Sequence, residues 1–313
     1  MNRELTLQVE QDKEFVETPY IKEITERSLH YIQAGFPVHF RGPAGTGKST
    51  LAKHIASKLN RPTCLLHGDE ELTSSTLVGG ESGYRFKRVR DNFISTVLKE
   101  EEEMTKGWVD NQLTEACRHG YTLIYDEFTR SRPEANNVLL SVLQDRILTL
   151  TNDAHTGNPY LQVHPDFVAL FTSNPEEYAG THKSQDALRD RMVTIDLQFP
   201  DYETELGIVY AKSRIPMDIC ELITNIIRQL RDSELCDFSP TIRSGIMIAK
   251  TITVTGIEPE EDVKLFTTYC QDILSSETGR LTGGQNQQER KDLIENLVIN
   301  HINKTKRSHF IAV

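Results

Sequence analysis

Gly42-Pro43-Ala44-Gly45-Thr46-Gly47-Lys48-Ser49 runs without a gap through the spacing Gly-x-x-x-x-Gly-Lys-Ser/Thr, whose chemistry is phosphate binding. The glycines let backbone N–H groups converge on phosphate oxygens at the start of a helix. Lys48 is then placed to reach the β- and γ-phosphates and Ser49 to ligate Mg²⁺, with Thr50 joining the nucleotide-binding set. Further along, Asp126-Glu127 closes an apolar run. There Asp126 can hold Mg²⁺ through a water, and Glu127 can polarise an attacking water as general base. An Asp-Glu pair alone is usually a solvated turn; behind an apolar strand and downstream of a phosphate loop, it reads as function. Asn174, ending Thr172-Ser173-Asn174, can orient the attacking water or touch the γ-phosphate, or simply cap a turn before Pro175. In Ala187-Leu188-Arg189-Asp190-Arg191 the arginines can pair with Asp190, or reach a neighbouring subunit's phosphate site as arginine fingers, Arg191 ahead of Arg189. Arg243, early in a later helix, can contact the nucleotide or lie in solvent.

These groups need a scaffold that brings them together. Short apolar runs at Val38 to Phe40, Thr63 to His67, Thr122 to Tyr125, Val168 to Phe171 and Val193 to Leu197 read as strands. Continuous apolar character marks buried parallel strands. Helical patterns lie before and between them: Thr18 to Ala34, the segment from the phosphate loop to Asn60, Asp110 to Arg118, and Pro133 to Asp145. Alternating strands and helices predict an α/β fold, a parallel sheet flanked by helices, with the acids at the sheet edge where ligands bind. Two interruptions stand out as inserts: Gly79 to Arg88, expected as a hairpin in an insert at about 77–92, and a hairpin insert at about 147–164. Beyond Phe199-Pro200 the pattern turns helical at Glu203 to Ser213, Asp218 to Asp232, Thr241 to Ile252, Asp262 to Leu274 and around Leu293 to Ile302, with Gly279 to Gln288 as a loop. The expected division is an α/β nucleotide-binding domain over 1–200 and a smaller helical lid with a tail over 201–313.

Composition narrows the partners. The 313 residues carry 35 basic and 46 acidic side chains, a formal charge of −11, which is a poor match for nucleic acid or anionic lipid. Arg85, Lys87, Arg88 and Arg90 form the one basic cluster, either a solvated hairpin or a contact for an acidic partner surface. Glu100 to Glu103 reads as a solvated helix face, and Trp108 as core. No apolar run nears the roughly 20 residues that cross a bilayer, and the first residues lack the apolar centre of a signal peptide. The five cysteines are scattered, which suits a reducing compartment. A cytoplasmic protein with no membrane and no nucleic-acid partner is expected.

The ordered set of glycine-loop lysine, Asp-Glu, strand-end Asn, paired arginines and helical lid resembles the AAA+ ATPases, and the two inserts resemble their MoxR branch. Longer strings, Gly120 to Asn137, Val163 to Phe167, Thr172 to Gly180 and Gln185 to Met192, resemble the gas vesicle protein N family. That likeness is dense from Thr18 to Pro200 and loose beyond. It implies ATP and Mg²⁺ as cofactors, a homo-oligomeric ring (a hexamer), and gas vesicle structural or accessory proteins as partners. A MoxR-type chaperone remodelling a metalloenzyme would use the same phosphate chemistry, and only the longer strings argue against it. A small-molecule kinase does not need the full set. A regulatory GTPase would need Asn-Lys-x-Asp, and the nearest match, Asn303-Lys304-Thr305-Lys306, lacks the aspartate.

Overall fold

A computed structural model describes residues 6–90, 100–150, 158–175, 186–233, 239–277 and 287–311. It divides into two compact units, Met1–Gln11, Arg27–Gly42 and Lys48–Leu197 in one, and Asp12–Glu26, Pro43–Gly47 and Gln198–Val313 in the other.

In the first unit the strands are β1 (Val38–Arg41), β2 (Thr63–His67), β3 (Gly79–Arg90), β4 (Glu100–Asp110), β5 (Thr122–Asp126), β6 (Ile147–Thr149), β7 (Tyr160–Gln162), β8 (Val168–Ser173) and β9 (Val193–Asp196). Helix α1 (Pro19–Gln33) precedes β1, α2 (Lys48–Leu59) follows it, and α3 (Ser74–Val78), α4 (Gln112–His119), α5 (Pro133–Asn136), α6 (Val138–Gln144) and α7 (Asp186–Arg189) lie between later strands. Five strands form one parallel sheet in the order β2-β5-β8-β1-β9. Every residue of β5 is buried, as expected of a strand with helices on both faces. Cys64, Leu113, Cys117, Leu123, Leu139 and Phe171 are among the fully buried side chains of its core.

The first insert differs from expectation. The expected hairpin within Gly79 to Arg88 is instead a single strand, β3, paired antiparallel with β4. Glu100 to Glu103, expected as a helix face, opens β4, and its register sets Glu103 opposite Lys87, Glu102 opposite Arg88 and Glu100 opposite Arg90. The antiparallel backbone ladder with β3 is a long-range pairing that local helical preference does not register. Trp108 falls in β4 opposite Glu81; the side chains of this hairpin lie outside the described residues. The second insert is the expected hairpin, β6 with β7. The single helix expected over Pro133 to Asp145 is two, α5 and α6. At the join, the Asn136 side chain donates to the Phe128 carbonyl at 3.1 Å, the local side-chain-to-backbone bonding that competes with helix continuity.

The second unit contains α8 (Tyr202–Ser213), α9 (Met217–Asp232), α10 (Ile242–Thr255), α11 (Val263–Glu277) and α12 (Gln287–Ile311). Asp201 caps α8 by accepting from the Thr204 N–H at 2.7 Å. Ile223, Ile226, Phe266, Cys270 and Val298 lie in its apolar core. Glu205, 1% exposed, accepts from Arg228 at 2.8 Å and Arg231 at 2.7 Å. Arg231 also stacks over Phe199 at 3.9 Å and donates to the Pro240 carbonyl at 3.1 Å. A buried carboxylate needs such partners to offset its lost hydration. The loop from Gly279 falls outside the described residues up to 286, and Cys236 lies outside them too.

Candidate active site

Three adjacent strands deliver the chemistry-bearing residues to one edge of the sheet. In the order β5-β8-β1, β5 ends on Asp126, β8 is followed by Asn174, and β1 leads through the glycine loop to Lys48 and Ser49 at the start of α2. This is the carboxyl-end crevice of an open parallel sheet.

The loop takes its path from glycine. Gly45 and Gly47 hold φ of 77° and 84°, left-handed values that cost side-chain-bearing residues roughly 1–2 kcal/mol. A Cβ on Gly45 would also lie 2.4 Å from the Thr241 Cβ. Lys48 is buried, its ammonium donating to the Gly42 carbonyl at 2.8 Å.

Two hydroxyls and an imidazole converge on the Asp126 carboxylate. Ser49 Oγ donates to Asp126 Oδ1 at 2.6 Å, and Thr172 Oγ1 donates to the same oxygen. His67 Nδ1 stands 3.6 Å from the other carboxylate oxygen. Glu127 leaves the strand in the left-handed region, φ 52° and ψ 39°. Its N–H donates to Thr172 Oγ1 at 2.9 Å, and its carboxylate accepts from Arg130 Nη1 at 2.6 Å. Gly68 lies close against this turn, since a Cβ there would meet the Glu127 carbonyl oxygen at 2.1 Å. One residue before the acids, the buried Tyr125 hydroxyl is 2.8 Å from both Ser131 Oγ and Asn136 Oδ1, tying the strand end to the loop that carries Glu127.

Asn174 is 7% exposed at the end of β8. Arg189 ends α7. Arg191 is held to the end of α6, its guanidinium donating to Gln144 Oε1 at 2.9 and 2.5 Å, and it donates to the Ala187 carbonyl as well. Arg243 sits in the first turn of α10 and is exposed. Glu176 to Gln185, within the strings that carry the resemblance, lie outside the described residues.

His39 was not singled out by its sequence. Its signal is a histidine inside the apolar run Val38-His39-Phe40. Fully buried in β1, it places Nε2 2.8 Å from Ser173 Oγ and Nδ1 3.1 Å from Thr194 Oγ1, joining β1 to both neighbours. Burial first, then the charges of Arg189 and Arg41, pushes its pKa down from 6.5 to about 3. The folded value lies below the unfolded one, so stability is present above about pH 6.5 and is lost as pH falls towards 3. The loss is up to about 1.4 kcal/mol per pH unit. Denaturant unfolding between pH 7 and pH 4 should show a flatter pH dependence for His39→Gln than for the wild type; equal slopes would refute the assignment.

The site suits a hard divalent cation beside a phosphate chain. With its proton committed to Asp126, Ser49 Oγ turns lone pairs outward, and the set is all oxygen, as Mg²⁺ prefers. Among the described residues no group of three or more His, Cys, Asp or Glu side chains could hold a metal ion.

A phosphate loop leaving the parallel sheet at β1, with an Asp-Glu pair at the end of β5 one strand beyond β8 and helices behind, defines a P-loop ATPase of the AAA class, and residues 37–192 match the AAA domain (dynein-related subfamily). The chain is 46% identical over 271 residues to the gas vesicle ATPase GvpN of Ancylobacter aquaticus, covering 87% of this chain and 75% of that one. It is 39% identical over 273 residues to the GvpN of Haloferax mediterranei, covering 87% and 77%. It belongs to the gas vesicle ATPase GvpN family and is an ATPase. A Thermotoga maritima RuvB variant has a TM-score of 0.52 at 17% identity over 84% of this chain and 73% of that one, a likeness of fold. Among the described residues no helix is long and apolar enough to cross a membrane.

Proposed function

We propose that this chain hydrolyses ATP to promote gas vesicle assembly, working in the cytoplasm as a homo-oligomeric ring of six subunits on gas vesicle structural or accessory proteins. Neither nucleic acid nor membrane is a partner. The observation that carries the reading is the Ser49–Asp126–Thr172–Glu127 hydrogen-bonded set in a chain 46% identical to a gas vesicle ATPase.

In this reading residues 1–200 form the nucleotide-binding domain and 201–313 the lid. Gly42 to Thr50 bind the phosphates. Ser49 and Asp126 would hold Mg²⁺, which supplies neutralising charge to the β- and γ-phosphate oxygens. Lys48 adds charge on the same oxygens, Glu127 takes the proton of the attacking water, and Asn174 orients that water. Arg191, with Arg189 second, acts across a subunit border, and Arg243 touches the nucleotide from the lid.

The test pairs phosphate release in vitro with vesicle counts and buoyancy in cells carrying the remaining vesicle genes. Lys48→Ala should lose nucleotide binding and yield no vesicles. Normal vesicle yield from Lys48→Ala would sink the claim that ATP drives assembly.

A further inference from the structure

We infer that Thr172, which has no reactive chemistry of its own, is the residue that positions both acids of the site; the inference rests on the roles proposed for Asp126 and Glu127. A hydroxyl has one proton to give and lone pairs to receive. Thr172 commits both functions to the site: its proton goes to Asp126 Oδ1, and its oxygen receives the Glu127 N–H at 2.9 Å. This is a single, fully buried atom on β8, the strand that lies between β5 and β1.

The two bonds act on different degrees of freedom. The one to Asp126, together with that from Ser49, fixes the rotation of the carboxylate by loading a single oxygen with two hydroxyl donors. The one from Glu127 anchors the N–H of a residue whose backbone stands at φ 52°, a conformation that persists only where its surroundings hold it. Gly68 bounds the same turn from the carbonyl side. Thr172 thus sets where the chain turns and, with it, where the Glu127 carboxylate begins.

A buried strand threonine is ordinarily accounted for by packing of its branched side chain. Thr122, fully buried in β5, fits that account, for its hydroxyl has no hydrogen-bond partner among the described residues. Thr172 does not, because its hydroxyl is doubly engaged.

Thr172→Val keeps the shape and removes the hydroxyl. In the full-length protein it should lower kcat about 10- to 100-fold, the usual effect of removing a group that orients a ligand. Binding of a fluorescent ATP analogue should be unchanged, since the glycine loop and Lys48 are untouched. Thr172→Ser, which keeps the hydroxyl, should recover most of the turnover. Should the valine protein fail to fold by thermal unfolding, Thr172→Ser is compared with Thr172→Ala: both lack the methyl group and differ only in the hydroxyl, so kcat must still separate them about tenfold or more. Wild-type turnover by Thr172→Val, or equal turnover by the serine and alanine proteins, overturns the inference while a dead Glu127→Gln control leaves the site assignment standing. A fully active Glu127→Gln control would overturn both.

Discussion

Glu127→Gln binds ATP and turns it over about 100-fold or more slowly, the scale of a lost general base. Glutamine keeps the length of the side chain, the left-handed backbone and the N–H bond to Thr172, so the loss is assigned to basicity and not to collapse of the turn. Nucleotide affinity is the control that separates the two causes. Loss of binding together with turnover would indicate structural damage, and wild-type turnover would remove Glu127 from its role. Arg130 enters here, because its guanidinium donates to Glu127 Oε2 at 2.6 Å and leaves the other carboxylate oxygen to receive a proton in the role proposed.

A larger effect is expected at the subunit border. Removing a finger arginine lowers the rate by about 1,000-fold or more, so Arg191→Ala alone should be nearly inactive, as should Lys48→Ala alone. Mixed and co-assembled, the two inactive proteins should regain activity, because some interfaces then pair an intact phosphate loop with an intact finger. An inactive mixture with proven co-assembly would place the arginine's effect within its own subunit. Gln144 offers a control: it anchors Arg191 at the end of α6, and its loss should loosen the finger without removing its charge.

Much of this was legible because it depends on local rules. The glycine loop needs a fixed spacing and positive φ, and β2 begins and ends where the run Thr63 to His67 does. The acids were found because an apolar strand precedes them. What escaped depended on partners distant in sequence. Glu100 to Glu103 lie in a strand whose ladder partners, Arg90 to Lys87, are ten or more residues away along the chain. Likewise, the strand order that sets β8 between β5 and β1 is what gives Thr172 and His39 their partners, and no spacing along the chain encodes it. In Thr172-Ser173-Asn174 the threonine reads as ordinary strand sequence, and its two bonds reach residues 46 and 45 positions away.

The left-handed backbone at Glu127 has an evolutionary side. Glycine would occupy φ 52° with less strain than any residue bearing a Cβ, so the fold alone would favour it there. In the role proposed for Glu127, a glutamate at that position trades stability for activity. On that reading, one change to glycine would relieve the backbone and remove the carboxylate together, so a sturdier and silent protein lies a single residue away.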